Sequence, residues 1–247
     1  MGLPINKPNN DISYNEFKML NDVVIRVRNY KIADIENYLK RVKIKDNETS
    51  LEKSTYALLR SCTHTDDIEK LDNLDRINII YLIILLRVSS VSATIPYPHE
   101  CVHCKTANLE HRMNILPLDV DYDNEKEIEF SDKFSIGLQN IPFSKELDIV
   151  EIQDKNERAD LEFYYKIKWI RNDSEIYERK SFTIKEFKEW LSSDEDDYHL
   201  SNSQYLELIS KMESFNEHIK INQKTNCVAC GKELNLVMNN FTFFILA

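Results

Sequence analysis

The sequence predicts an α+β fold in which a helical core packs on β-hairpins. Three observations predict it. Apolar residues recur at helical spacing in several segments and alternate at strand spacing in others. Four of the five cysteines form two CxxC pairs, and each pair is flanked by strand-like runs. Glycine is nearly absent, with only Gly2, Gly137 and Gly231. A phosphate-cradling loop needs several glycines close together, so a P-loop, a dinucleotide fold and a kinase-type glycine loop are excluded. The chain has 247 residues, 42% hydrophobic and 30% charged, with 32 Lys+Arg against 42 Asp+Glu and a formal net charge of −10. That is enough apolar chain for a real core. The acidic balance argues against bulk phosphate binding, which runs on clustered Lys and Arg.

In chain order, residues 1–48 form a mildly basic lead, and residues 49–247 form a single α+β domain. Met1-Gly2-Leu3-Pro4-Ile5-Asn6-Lys7 has no apolar core of a secretory signal, and Asn6 stands where a myristoylation signal needs Ser or Thr. Val23-Val24-Ile25-Arg26-Val27 reads as a strand, and Ile32, Ile35, Leu39 and Val42 as the stripe of a short amphipathic helix. Thr49-Ser50-Leu51-Glu52 is a capping-box pattern opening a helix with Leu51, Leu58, Leu59 and Cys62 on one face. Cys62 is therefore read as core, and His64 and His199, in polar segments, as solvated. The helix from about Leu74 to Val88 is apolar almost all round, which places it at the centre of a domain. Its most apolar stretch, Ile77 to Leu86, is half the roughly 20 residues a membrane span needs and contains Asn78, so no membrane span is expected.

Segment 119–163 carries 14 acidic and 5 basic residues. Ile128, Phe130, Phe134, Ile136 and Leu138 alternate with polar residues there, predicting a hairpin around Ser131-Asp132-Lys133; the acids of the segment read as a solvated face, with a docking surface for a basic partner as the alternative. Leu161 to Trp169 is apolar without a decisive period. Thr183-Ile184-Lys185-Glu186 caps a helix over Ile184–Leu191, and Asp194-Glu195-Asp196-Asp197 is an acidic loop without the ligand spacing of a calcium site. The last helix starts near Ser201 and Gln204, with Tyr205, Leu208, Ile209, Met212, Phe215 and Ile219 on one stripe.

The chemistry-bearing motifs are Cys101-Val102-His103-Cys104 and Cys227-Val228-Ala229-Cys230, the second followed by Gly231. Ala93–Tyr97 precedes the first and Leu109–Ile115 follows it; His218–Ile221 and Leu234–Val237 bracket the second. Each pair thus sits at a hairpin tip, as a zinc knuckle does, and Gly231 suits the left-handed position after the last Cys. One knuckle supplies two thiolates, whereas tetrahedral zinc takes four. The 122 residues between the pairs make closure cost several kcal/mol, against about 10–16 kcal/mol of apparent binding free energy for structural zinc. The expectation is one structural Zn2+ held by Cys101, Cys104, Cys227 and Cys230 in a zinc-ribbon-like unit. Two redox pairs or four core cysteines are the alternatives, although a thioredoxin-like pair follows a strand at a helix N-terminus and neither pair here does. Four thiolates leave no open position for catalytic water. His99-Glu100 ahead of Cys101 lacks the H-x-E of the zinc deaminases, and no catalytic residue is assigned.

The order of elements is more specific than any one motif. Tyr81-Leu82-Ile83-Ile84-Leu85-Leu86-Arg87 leads to Ser90-Val91, a strand and CxxC; later come Phe182–Phe187, two helices, a strand, Cys227-x-x-Cys230-Gly231 and Asn240-Phe241-Thr242-Phe243-Phe244. This resembles the baseplate hub assembly proteins of T-even-type contractile-tailed bacteriophages, over roughly residues 50–247. The family has Gly after Ser-Val, where this chain has Ser92. The resemblance implies a non-enzymatic assembly factor or structural component of the tail, with hub or tape-measure proteins as partners. It implies a place in the host cytoplasm during assembly or in the virion, and it leaves the oligomeric state open. The alternative is a zinc-ribbon nucleic-acid-binding regulator. Lys105, His111, Arg112, Lys220, Lys224 and Lys232 give it some positive charge, but on a chain at −10, so no nucleic acid is expected.

Overall fold

A computed structural model describes residues 12–44, 48–116, 118–123, 125–192, 200–213 and 218–238. The chain opens with strands β1 (Asn15–Lys18) and β2 (Val24–Val27), then helices α1 (Ile32–Ile44), α2 (Glu48–Cys62), α3 (Ile68–Asp72) and α4 (Arg76–Ser90). Seven strands follow: β3 (Thr94–Pro96), β4 (His99–Glu100), β5 (Ala107–Asn108), β6 (Arg112–Asn114), β7 (Asp119–Asp121), β8 (Glu125–Ser131) and β9 (Phe134–Gln139). Helices α5 (Phe143–Ile149) and α6 (Lys155–Lys166) lead to β10 (Ile167–Asn172) and β11 (Glu175–Glu178). The chain then passes through α7 (Ile184–Ser192) and α8 (Asn202–Glu213) into β12 (His218–Asn226) and β13 (Glu233–Met238). The sheets run β11-β10-β9-β8 and β13-β12-β7, with pairs β1-β2, β3-β6 and β4-β5. The fold is α+β, as expected.

Helix α4 is the central element. Asp75 caps it by accepting the Asn78 N–H (2.8 Å), and Ile77, Ile79, Leu82, Ile83, Ile84 and Leu86 are buried along it. Burial on nearly all sides makes Asn78 informative, since a buried carboxamide must be hydrogen-bonded. Its Oδ1 accepts the Leu20 N–H (2.8 Å), and its Nδ2 donates to Asp75 Oδ1 (3.0 Å) and to the Tyr122 hydroxyl (2.8 Å). One side chain thereby ties the β1–β2 turn and the segment after β7 to the central helix.

Two apolar clusters form. The first gathers Ile25 and Val27 from β2, Leu58, Leu59 and Cys62 from α2, the α4 residues, Cys101, Met113, Ile219, Ile221, Cys227 and Leu234. The second lies on the four-stranded sheet, where Ile128, Ile136, Leu138, Ile167 and Ile170 meet Phe187, Leu208 and Met212. Gly137 is required here by close approach, because the Trp169 indole lies where its Cβ would stand. No helix among the described residues is long and apolar enough to cross a membrane.

The 131–134 hairpin and the Thr183 capping box form as expected: Thr183 N–H donates to Glu186 Oε2 (2.6 Å), and Glu186 N–H to Thr183 Oγ1 (3.2 Å). Three expectations are corrected and one open reading is resolved. The second helix begins at Glu48 rather than with a cap at Thr49. Ile32 is 80% exposed, so the α1 stripe is Ile35, Leu39 and Val42. The undecided run 161–169 divides, helix to Lys166 and strand from Ile167. Ile219 belongs to β12, not to the last helix, whose buried face is Leu208 and Met212. Met1–Lys7, Asp194–Asp197, His199, Phe215 and Asn240–Phe244 lie outside the described residues.

A buried ion pair joins β2 to the loop after α2. The Asp67 carboxylate, 1% exposed, accepts from Arg26 N–H (3.0 Å) and Nε (2.7 Å), and Lys70 Nζ lies 2.8 Å away. Arg26 beside it, with Lys70, outweighs the opposing effect of burial and holds its pKa well below the usual carboxylate range. A depressed folded-state pKa stabilises the fold above the unfolded value of about 4, and that stabilisation fades as pH falls further. In urea titrations, Asp67→Asn is expected to be less stable than wild type at pH 7. The gap should narrow steadily below about pH 4.

Candidate metal centre

The two CxxC turns meet at one end of the first cluster. β4 and β5 form the hairpin whose tip carries Cys101–Cys104, and β12 and β13 the hairpin whose tip carries Cys227–Cys230. The tips share one local design. Cys101 N–H donates to the Thr106 carbonyl (2.9 Å) while its own carbonyl accepts from Lys105 N–H (2.9 Å). Cys227 repeats this with Lys232 and Gly231, both at 2.9 Å. In each turn a backbone N–H, of His103 or Ala229, approaches the first sulfur at 3.4 Å. Such turns aim backbone N–H groups at a thiolate, the donors that a charged sulfur needs.

Gly231 adopts the left-handed conformation expected of it (φ +69°). Lys105 occupies the same place in the first turn at φ +61°, a conformation costly for a side chain bearing Cβ.

The four sulfurs all lie within 4.8 Å of one another. Cys101 Sγ is 3.8 Å from Cys230 Sγ, and Cys104 Sγ is 3.6 Å from Cys227 Sγ. A metal–sulfur distance near 2.3 Å in a tetrahedron puts sulfurs about 3.8 Å apart, so the set fits a tetrahedral ion. All four are free thiols. Cys101 and Cys227 are buried and Cys104 and Cys230 exposed, so the cluster is anchored in the core on one side and reaches solvent on the other. Among the described residues the four cysteines form a group that could hold a metal ion, and neither His99, His103 nor His111 is part of it.

The electrostatics suit thiolates unequally. The hydrogen-bonding contact between Cys104 Sγ and Thr106 Oγ1 (3.3 Å), with the Thr106 N–H, holds Cys104 down at about 6. The backbone N–H groups of Cys230 and Ala229 lower Cys227. At Cys230 the Lys232 N–H pulls down, but burial and the three neighbouring sulfurs push the thiol up, to about 11. Four like charges this close repel, and a divalent cation between them removes that penalty.

All four predicted ligands are brought together. Asn108 and Thr106 were not singled out from sequence, because nothing in a β-strand Asn marks it as a turn-to-turn contact. Cys62, read as core, is fully buried in the first cluster. His64 accepts the Asp66 N–H and packs against Tyr14.

Residues 12–245 match the family model described as T4 bacteriophage base plate protein. No curated protein matches, and no solved structure matches. The matched span reaches beyond the 50–247 suggested by the motifs and takes in β1, β2 and α1.

A Cβ at position 231 would meet no neighbouring atom, so the cost of Gly231→Ala is one of backbone conformation alone. Thermal or urea unfolding should show a loss of about 1 kcal/mol, and Lys105→Gly should show a change of the opposite sign.

Proposed function

The chain belongs to the T4 bacteriophage base plate protein family, and on that premise we propose that it is a non-enzymatic assembly factor or structural component of a contractile phage tail. It acts in baseplate hub assembly through protein–protein contacts, with hub or tape-measure proteins as partners. It works in the host cytoplasm while tails are built, or in the virion as part of the tail baseplate. The observation that carries the reading is the family match over nearly the whole chain.

Cys101, Cys104, Cys227 and Cys230 hold one structural Zn2+ in this reading. All-sulfur donors in a closed tetrahedral set suit zinc and leave no position for a reacting water. The metal supplies a cross-link; the chain's own residues supply the surface. The other prominent feature is a cavity of about 540 Å³ lined by Lys53, Tyr56, Arg60, Asp72, Lys145 and Asp148. Three of its four cations are in ion pairs, Lys53 with Glu151 (2.5 Å), Arg60 with Asp72 (2.5 Å) and Lys145 with Asp148 (3.8 Å), and the fourth, Arg179, lies over the Tyr165 ring. That pairing supports a scaffold better than a catalytic pocket. The basic residues near the turns do not favour a nucleic-acid reading, since Lys224 pairs with Glu233 (3.4 Å) and Lys105 approaches Glu100 (4.0 Å).

Deleting the gene from the phage should abolish baseplate formation while heads still form, scored by electron microscopy of lysates. Mass spectrometry of purified virions should find this polypeptide if it is a permanent component, and only in tail intermediates if it is a transient factor. Intact tails without the protein, together with no tail component bound in pull-downs from infected cells, contradict the proposal.

A further inference from the structure

The two turns follow one design residue by residue until the strand that leaves them. At the place where the second turn carries Leu234, buried in the first cluster, the first carries Asn108, also buried at 5% exposed. A carboxamide where the related turn uses an apolar side chain loses transfer energy and must be hydrogen-bonded to persist. The partners of Asn108 explain it. Its Nδ2 donates to the Thr106 carbonyl (3.1 Å), the same carbonyl that accepts the Cys101 N–H. Its Oδ1 accepts the N–H of Val228 (3.3 Å), the residue between Cys227 and Ala229. One buried amide therefore bonds to the backbone of both turns, beside the sulfurs and across 120 residues of sequence.

We infer that Asn108 is a positioning residue for the four-cysteine site: it locks the Cys227 turn onto the Cys101 turn so that the two half-sites are pre-assembled. This rests on the reading that the cysteines hold a metal. Each turn is organised by its own backbone bonds, so each half-site forms locally, but the distance between halves is set only by contacts that cross. Among the described residues, two further side-chain bonds join β12 and β13 to the segments flanking the first hairpin. Gln223 Oε1 accepts the Asn114 N–H (2.8 Å), and the Tyr97 hydroxyl donates to the Val237 carbonyl (3.2 Å). Both lie further along the strands. The Asn108 bond ends on the amide adjacent to Cys227 and within the turn itself, where a small rotation moves a sulfur most. Groups that orient ligands in this way typically account for 10–100-fold in metal affinity.

The test is metal affinity of the full chain, prepared metal-free under reducing conditions and titrated with Co2+ and with Zn2+ against a competing chelator. Asn108→Leu installs the residue that the second turn uses and keeps the burial; Asn108→Ala removes the amide outright. Gln223→Ala is the comparison, since it cuts a bond from the second hairpin to β6, next to the first hairpin, at a distance from the sulfurs. Both Asn108 variants should bind each metal 10–100-fold more weakly and broaden the visible bands of the cobalt form. Gln223→Ala should stay within threefold of wild type. A general structural role would lower metal-free stability alike in all three and leave the affinity order flat. Asn108 variants within threefold of wild type, or Gln223→Ala falling as far as they do, overturn the inference. If Asn108→Ala does not fold, Asn108→Leu decides it by the same criterion. A wild-type chain that takes up neither metal overturns the metal reading itself, and this inference with it, so the two failures are told apart.

Discussion

Four sulfurs from two turns, with 122 residues between them, arrive within 4.8 Å of one another, and the arrangement of the first cluster depends on that meeting. Bringing such distant segments together costs chain entropy that no single hydrogen bond offsets. Burial of Cys101 and Cys227 beside Met113, Ile219 and Leu234 supplies the apolar share. Backbone amides aimed at Cys101 and Cys227 supply the polar share. Burial and the neighbouring sulfurs push the Cys230 thiol up, and a cation among four ionised sulfurs would relieve their mutual repulsion. The site thus closes a loop containing the whole second cluster, so the acidic four-stranded sheet is an insertion between two halves of a stapled core.

Helix α4 holds the other end of that core. Its apolar sides leave it no solvent face, and Asn78 shows how the fold uses a polar residue there. The carboxamide meets Leu20, Asp75 and Tyr122, contributed by segments far apart in sequence. A leucine would bury more area but leave the Leu20 N–H and the Asp75 carboxylate short of a partner, a cost of about 1–3 kcal/mol per group. Asn108 repeats the same logic at the four-cysteine end. Buried polar side chains here mark the places where separate segments must register with one another.

That logic also explains what the sequence could and could not convey. Local signals were legible: the capping box at Thr183, the alternation of Ile128 to Leu138, the apolar helix after Asp75 and the glycine after Cys230 each report on their own few residues. The short strands β1, β7 and β11 were not, because each is defined by its partner. β7 has only Asp119–Asp121, and it is a strand because Val120 pairs with Ile219. The division at Lys166 was hidden for the same reason, since Ile167 and Trp169 become strand only against Leu138 and Gly137. The four cysteines were legible as a set because metal ligation demands a recognisable spacing. Asn108 and Asn78 look like any other asparagine until the distant amide that each accepts is known. The family match then adds what neither physics nor geometry supplies, a phage baseplate setting.

The central claim is that one metal ion joins the two turns through all four sulfurs. X-ray absorption at the zinc edge, on the full chain purified without added metal and paired with elemental analysis, tests it most directly. The expected result is one zinc per chain with four sulfur neighbours at about 2.3 Å. A folded, stable chain with no bound metal, or a zinc with oxygen or nitrogen neighbours in place of some of the sulfurs, would contradict it.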